Sequence, residues 1–88
     1  MWKVILTKQA QKDEKLLFRA GLLPRVDKIL YQLKENPREL PFEKLLDKKL
    51  GCFSRRINIQ HRLVYQIMEN EKIVKIIRMW THYPKFSS

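Results

Sequence analysis

The sequence has very few of the residues that build disulfides or metal sites. Cysteine occurs once in 88 residues, as Cys52, and histidine occurs twice. One cysteine cannot form an intramolecular disulfide, and so few thiol and imidazole groups disfavour a structural zinc site. We therefore expect no metal, no other cofactor and no disulfide framework, a pattern typical of a protein from a reducing compartment.

Long apolar runs are also missing. No stretch approaches the roughly 20 apolar residues that a helix needs to cross a bilayer. The apolar start, residues 1–6, is interrupted by Lys3 and is too short for a signal peptide. A basic helix with a large apolar face, which would favour binding to a membrane surface, is not evident either. We therefore expect a cytoplasmic protein that does not use a membrane.

Acidic residues are scarce, above all in the second half of the chain. Residues 51–88 contain 7 basic and 2 acidic side chains, whereas residues 1–50 contain 12 and 7. The net charge is +10, and 44% of the residues are hydrophobic. This composition predicts a single folded domain over residues 1–88 with an anionic partner, such as nucleic acid or an acidic protein.

The spacing of apolar residues in the first half predicts a strand and two helices. A short strand at 2–6 precedes a helix that Thr7 caps and Gly21 ends. A second helix begins near Pro24, and the short link predicts an antiparallel helical pair. The expected buried positions are Ala10, Leu17 and Ala20 in the first helix and Val26, Ile29, Leu30 and Leu33 in the second.

The second half predicts three strands after a loop. Residues 36–50 contain two prolines and are expected to form a loop, with a short helical turn at 42–46. Strands at about 53–59, 62–68 and 73–80, joined by short turns, predict a three-stranded antiparallel meander. The fold class is therefore α+β, with the helical pair on one face of a sheet. We expect residues 84–88 to be a flexible tail.

Three arginines lie close together in the first predicted hairpin. A turn near Gln60 places Arg56 opposite Arg62 or Leu63, and like charges directly opposite each other are destabilising. Either both arginines are solvated at little cost, or they form a paired site for a phosphate, whose oxygens match the guanidinium fork. Arg55 points to the other face, where a solvated or helix-paired side chain is the simpler interpretation.

A histidine lies between aromatic residues at the end of the last predicted strand. With an ordinary pKa of about 6.5, His82 suits acid–base chemistry at neutral pH, although a lone histidine is more often a polar surface residue. Trp80 and Tyr83 either stack on nucleobases or complete the core of the sheet. His61 lies in a turn, and we interpret it as structural.

The loop before the hairpin contributes further charges. Lys44, Lys48 and Lys49 either contact phosphates or only keep the protein soluble. Glu43 is one of nine acidic residues, and composition alone does not single it out as a catalyst.

Four segments carry a resemblance to a known family. They are Pro-Phe-Glu-Lys-Leu at 41–45, Gly-Cys-Phe-Ser-Arg-Arg-Ile at 51–57, His-Arg-Leu-Val-Tyr at 61–65 and His-Tyr at 82–83. In type and order they resemble the YoeB/Txe family of bacterial toxins, part of the RelE-like superfamily of type II toxin–antitoxin systems. The resemblance covers essentially the whole chain. The family often has two aromatic residues before Ser-Arg-Arg, where this chain has Cys52, and members usually end close to the His-Tyr pair.

This resemblance implies a RelE-like small ribonuclease fold and a ribosome-dependent endoribonuclease that cuts mRNA in the ribosomal A site without a metal. In that reaction the ribose 2′-OH attacks the adjacent phosphate, which gives a cyclic phosphate and a 5′-OH end. Glu43 would take the 2′-OH proton, Arg56 and Arg62 would neutralise the phosphorane, His82 would protonate the leaving oxygen and Tyr83 would position the RNA.

The resemblance also implies partners. It predicts a cognate antitoxin, the ribosome and mRNA, operator DNA only indirectly through the antitoxin, and it allows a homodimer. The additional residues expected to contact RNA are Lys44, Lys48, Lys49, Arg55 and Trp80. The alternative is a non-catalytic RNA-binding module or a gyrase-directed toxin of the same fold. A pure binding protein does not need an acid, a base and paired arginines together, so their joint presence favours the nuclease.

Overall fold

The computed structural model describes residues 1–38, 43–44 and 52–80, with the backbone alone at 43–44. In these ranges the chain forms two helices and one five-stranded sheet of order β1-β5-β4-β3-β2, which confirms the predicted α+β class. The elements are β1 (Lys3–Leu6), α1 (Lys8–Arg19), α2 (Leu23–Glu35), β2 (Glu43–Lys44), β3 (Cys52–Arg56), β4 (Arg62–Met68) and β5 (Ile73–Arg78).

The helix boundaries follow the predicted capping residues. Thr7 is the N-cap of α1, and its Oγ1 accepts a hydrogen bond of 3.1 Å from the Ala10 N–H. After α1 the chain turns at Gly21, whose φ of 73° lies in the left-handed region that glycine adopts without strain. Pro24 lies in the first turn of α2, where its missing N–H costs no helical hydrogen bond. The predicted buried stripes are confirmed except at Ala20, which is exposed as the C-cap of α1, and at Leu30, which is half-buried and packs against the core.

The sheet combines the predicted meander with one parallel pair. Strands β3, β4 and β5 are consecutive antiparallel neighbours, and β1 pairs with β5 in parallel from Lys3↔Ile73 to Leu6↔Ile76. A parallel pair needs a long crossover, and here the connection includes both helices. Helix α1 contacts β1 and β5, and α2 contacts β1. This arrangement places the C-terminal end of β5 next to the N-terminus of α1.

The predicted strand at 73–80 ends at Arg78, and two further predictions for the sheet were wrong. A helical turn was expected at 42–46, but Glu43–Lys44 is a strand that pairs antiparallel with β3. The first strand of the meander was expected to reach Ile59, but β3 ends at Arg56 and Ile59 is 91% exposed. Here the Asn58 side chain fixes a turn, because its Oδ1 accepts hydrogen bonds from the N–H groups of Gln60 (2.9 Å) and His61 (2.7 Å).

The core lies between the helices and the sheet. Its buried residues are Ala10, Leu17, Val26, Ile29, Leu33, Ile57, Leu63, Tyr65, Val74, Ile76 and Met79. Members come from both helices and from the β3–β5 region, so the core connects the helical pair to the strands that carry the arginines. Within the described ranges, neither helix combines the length and apolar character that crossing a membrane requires.

Candidate active site

The arginine pair occupies the end of the β3–β4 hairpin. Arg56, the last residue of β3, lies directly opposite Arg62, the first residue of β4. Directly opposed residues share a face of the sheet, with Cβ atoms about 4.5–5.5 Å apart. Arg56 is exposed and Arg62 is half-buried. The two arginines therefore project from the same face of the sheet, in one of the two registers that the predicted turn allowed.

Hydrogen bonds and core packing stabilise the turn between Arg56 and Arg62. The Ile57 N–H donates to the His61 carbonyl (2.9 Å), which closes the loop beyond the last strand pair. Arg25 of α2 donates from Nη1 to the Ile57 carbonyl at 3.4 Å. The Ile57 side chain is buried in the core. These contacts fix the backbone beside both arginines. Because the turn is already ordered, binding a phosphate there loses less conformational entropy.

The backbone of Glu43 lies close to the arginine pair in the sheet register. Glu43 is paired with Ser54, which precedes Arg56 by two positions in β3. Such a diagonal neighbour lies about 7–8 Å away between Cα atoms. The predicted base and the two predicted phosphate-binding arginines therefore belong to three adjacent strands at one end of the sheet.

Arg55 differs from its neighbours because it is buried. Its side chain is 9% exposed, and Arg55 lies opposite Leu63 on the face that also carries Tyr65. Its charge acts to lower the pKa of the Tyr65 hydroxyl, although burial is the larger effect and raises that pKa to about 12. Of the two alternatives for Arg55, a solvated or a helix-paired side chain, the solvated one is therefore wrong. A side chain with so little accessible surface is also poorly placed to contact RNA.

Trp80 packs against a histidine at the end of β5. Its ring stacks on the His61 ring with centroids 4.0 Å apart and an interplanar angle of 21°, and Trp80 also packs on the core. His61 Nδ1 forms a hydrogen bond with the Trp80 carbonyl oxygen. Because a carbonyl can only accept, Nδ1 carries the proton in this contact. Trp80 is thus half-buried, and one of its faces is covered by His61.

The sequence prediction missed a buried carboxylate, Asp13, on α1. Asp13 is 1% exposed, and its Oδ2 accepts a hydrogen bond of 2.9 Å from the Met79 N–H. The same oxygen lies 3.4 Å from Arg78 Nε, and Oδ1 accepts from Gln9 Nε2 at 2.9 Å. The only sequence signal was that an acidic residue interrupts the apolar stripe of α1 between Ala10 and Leu17. An amphipathic pattern of this kind does not reveal the partner of such a residue.

The remaining predicted site residues cannot be placed. His82 and Tyr83, Lys48 and Lys49, the tail 84–88 and the rest of the loop around β2 lie outside the described residues. Lys44 is described by its backbone alone, paired with Phe53. The described part of the site therefore consists of the arginine pair, the backbone of Glu43 and the anchored residues Met79 and Trp80, which follow β5.

The sequence matches the profile of a known protein family. The profile of a "YoeB-like toxin of bacterial type II toxin-antitoxin system" matches residues 10–83, which is most of the chain. The chain belongs to this family of toxins. The match includes both arginines and extends through Trp80 to Tyr83. A comparison with curated protein sequences gives no significant match.

Solved structures support the same assignment for this YoeB-like toxin. A YoeB/ParE toxin from Agrobacterium tumefaciens superposes with a TM-score of 0.81 at 25% identity, covering 92% of this chain and 99% of that one. YoeB in a YoeB-YefM complex from Staphylococcus aureus gives 0.75 at 27% identity, covering 94% and 99%. A DinJ-YafQ complex from E. coli gives 0.80 at 20% identity, covering 98% and 99%, and shows a shared fold. The RelE-like fold predicted from the sequence is therefore confirmed.

Proposed function

We propose that this YoeB-like toxin is a ribosome-dependent endoribonuclease that cleaves mRNA in the ribosomal A site and thereby stops translation in the cytoplasm. The observation that carries the proposal is the direct pairing of Arg56 with Arg62. Two guanidinium groups that lie opposite each other on one face of a sheet can both donate hydrogen bonds to a phosphate that lies between them.

The proposed reaction is a transesterification within the RNA. The 2′-oxygen bonds to the adjacent phosphorus, its proton passes to Glu43, and the bond from phosphorus to the 5′-oxygen breaks. His82 gives its proton to that leaving oxygen, so the products are a cyclic phosphate and a 5′-OH. Arg56 and Arg62 stabilise the negative charge that develops on the nonbridging oxygens. Tyr83 positions the RNA, and Lys44, Lys48 and Lys49 contact its backbone.

We propose an antitoxin as the regulatory partner. The related YoeB of Staphylococcus aureus is found with YefM, and the YafQ of E. coli, which shares the fold, is found with DinJ. A net charge of +10 favours an acidic antitoxin segment on the same surface that binds RNA. Contact with operator DNA would then occur through the antitoxin.

Arg62→Ala tests the proposed reaction. Removing one stabilising cation from a phosphorane is expected to lower the single-turnover cleavage rate on programmed ribosomes by about 100-fold or more. His82→Ala is expected to have an effect on the order of 100-fold, the usual contribution of a general acid. Lys28→Ala, which removes a cation from an exposed position of α2, is the matched control and should cleave at the wild-type rate.

Cleavage products distinguish the proposal from its alternatives. We expect cuts within A-site codons, cyclic phosphate ends and no cleavage of naked mRNA. Wild-type cleavage by the Arg62→Ala, His82→Ala double variant would contradict the residue assignment. Arrest of DNA replication without mRNA cleavage would instead indicate a gyrase-directed toxin.

A further inference from the structure

The backbone at the end of β5 is held by groups outside the regular strand pairing. The pairing of β4 with β5 shifts between Val64 and Tyr65, because Val64 lies opposite Arg78 while Tyr65 lies opposite Ile76. Ile77 is therefore an extra residue, and its carbonyl accepts a hydrogen bond of 2.9 Å from Thr7 Oγ1. Bulges of this kind change the direction of a strand and are frequent beside active sites.

Two side chains from different elements hold the next two residues. Asp13 of α1 binds the Met79 N–H from one side. His61, from the β3–β4 turn, binds the Trp80 carbonyl from the other side and stacks on the Trp80 ring. Neither contact belongs to the sheet ladder, whose last pair in β5 is Val64↔Arg78. Asp13 and His61 thus hold consecutive residues at the point where β5 ends.

These contacts join the two halves of the proposed site. His61 is the residue immediately before Arg62, and Trp80 is two residues before His82. The chain between Trp80 and His82 contains a single residue, so a shift of the Trp80 backbone moves the point from which the segment that carries His82 continues. A displacement of about 1 Å in a reacting group can reduce a rate on the order of 100-fold.

The burial of Asp13 indicates that its hydrogen bond with the Met79 N–H has a specific structural role. Removing a carboxylate from water costs free energy, which the bonds from Met79, Arg78 and Gln9 offset. An apolar residue at this position would fill the same stripe of α1 without that cost. It would, however, leave the Met79 N–H without this acceptor and Arg78 without its anion.

We propose that Asp13 and His61 are positioning residues, which fix the end of β5 so that His82 and Tyr83 meet the phosphate bound by Arg56 and Arg62. This proposal rests on the proposed function. Neither residue touches the reacting atoms, and each acts through the backbone of Met79 or Trp80. Asp13 holds the strand end to α1, and His61 holds it to the turn between the arginines.

Asp13→Ala and Asp13→Asn test the first contact. Asn can still accept from the Met79 N–H through its Oδ1, and its NH2 group can donate to Gln9 Oε1 once the Gln9 amide turns over, so it should retain within about 3-fold the wild-type kcat. Ala removes the acceptor and should lower kcat about 10- to 100-fold, with the KM for programmed ribosomes unchanged, at a temperature where both variants are folded. Asp27→Ala, which removes an equal charge from an exposed position of α2, is the control and should change neither constant.

His61→Phe tests the contact between His61 and the Trp80 carbonyl. If Asp13→Ala does not fold, the His61→Phe variant provides the test in its place. Phe keeps a ring to stack on Trp80 but has no Nδ1 donor. It should lower kcat with little change in melting temperature. Unchanged kcat per folded molecule in both Asp13→Ala and His61→Phe would overturn the proposal.

An NMR measurement separates this proposal from the proposed function. In protein labelled with ¹³C and ¹⁵N, Asp13→Ala and His61→Phe should shift the amide and ring signals of His82 and Tyr83, whereas Asp27→Ala should not. These shifts are expected even for a protein that does not cleave mRNA, in which case only the proposed reaction fails. Unshifted His82 and Tyr83 signals in the Asp13 and His61 variants would refute the positioning role.

Discussion

At the scale of single residues, the buried polar groups of the sheet are the most informative. Tyr65 is fully buried, stacks on Phe53 with centroids 5.8 Å apart, and donates a hydrogen bond of 3.2 Å to the Pro37 carbonyl. Pro37 lies just beyond α2 at the start of the long connection to β2. The Tyr65 hydroxyl therefore holds the start of the connection between α2 and β2 against the centre of β4.

Tyr65 predicts a loss of stability at alkaline pH. Burial raises its pKa from about 10 to about 12, despite the opposing charges of Arg55 and Arg38. A raised pKa means that the unfolded chain loses this proton first. The stabilising contribution is therefore complete below pH 10 and is lost as the pH rises toward 12, by at most about 2–3 kcal/mol. Urea unfolding at several values of pH between 8.5 and 11.5 measures this slope.

Tyr65→Phe should flatten that slope and lower the free energy of unfolding at pH 8 by about 1–2 kcal/mol, because the Pro37 carbonyl loses its buried donor. Tyr31→Phe is the comparison for an exposed tyrosine. The pKa of Tyr31 is raised mainly through a hydrogen bond from its hydroxyl to Glu35, so Tyr31→Phe should leave the part of the slope that comes from the buried Tyr65 in place. A wild-type slope in Tyr65→Phe would show that other groups cause the alkaline transition.

At the scale of elements, the junction between β1 and α1 is a single threonine with three roles. The Thr7 N–H donates to the Ile76 carbonyl (3.0 Å), its Oγ1 caps α1, and its hydroxyl donates to the Ile77 carbonyl. The residue therefore ends β1, begins α1 and holds the bulge of β5. The capping role was predictable from sequence, whereas the bond to a residue 70 positions away was not.

Thr7→Val should lower the free energy of unfolding by about 1–3 kcal/mol, because it removes the cap and the bond to Ile77 while it preserves the shape of the side chain. Thr7→Ser retains both hydrogen bonds and should lose less than half as much. Urea denaturation of the three proteins at neutral pH measures the differences. Equal stability of the valine and serine variants would mean that the hydroxyl contributes nothing.

Elements with local sequence signals could be predicted, whereas those that depend on contacts between distant segments could not. Helices α1 and α2 were located by local signals: Thr7, Gly21, Pro24 and apolar spacing. The opposition of Arg56 and Arg62 was predictable because a short turn fixes strand register. In contrast, β2 has only two residues, too few for an alternating pattern, and its strand conformation depends on pairing with β3. Contacts between distant segments, such as Asp13 with Met79, leave no local signal.

At the scale of the whole molecule, net charge and local charge placement make different predictions. A charge of +10 attracts any polyanion and does not by itself define a site. The pair of exposed Arg56 and half-buried Arg62 concentrates part of that charge at one end of the sheet. In comparison, Lys28 lies on an exposed face of α2. Substituting one residue from each place changes the net charge equally.

Arg56→Gln and Lys28→Gln each reduce the net charge from +10 to +9, so the comparison isolates position from total charge. When binding of a short single-stranded RNA is measured against salt concentration, each phosphate contact contributes about 0.7 to the slope of log K against log salt. Arg56→Gln should reduce the slope by about this amount and weaken binding, because it removes a direct phosphate contact. Lys28→Gln should leave the slope nearly unchanged, since Lys28 lies at an exposed position of α2 and is not part of the proposed phosphate site. Equal losses in the two variants would mean that RNA is held by overall charge, and the arginine pair would then lose its role as the phosphate site.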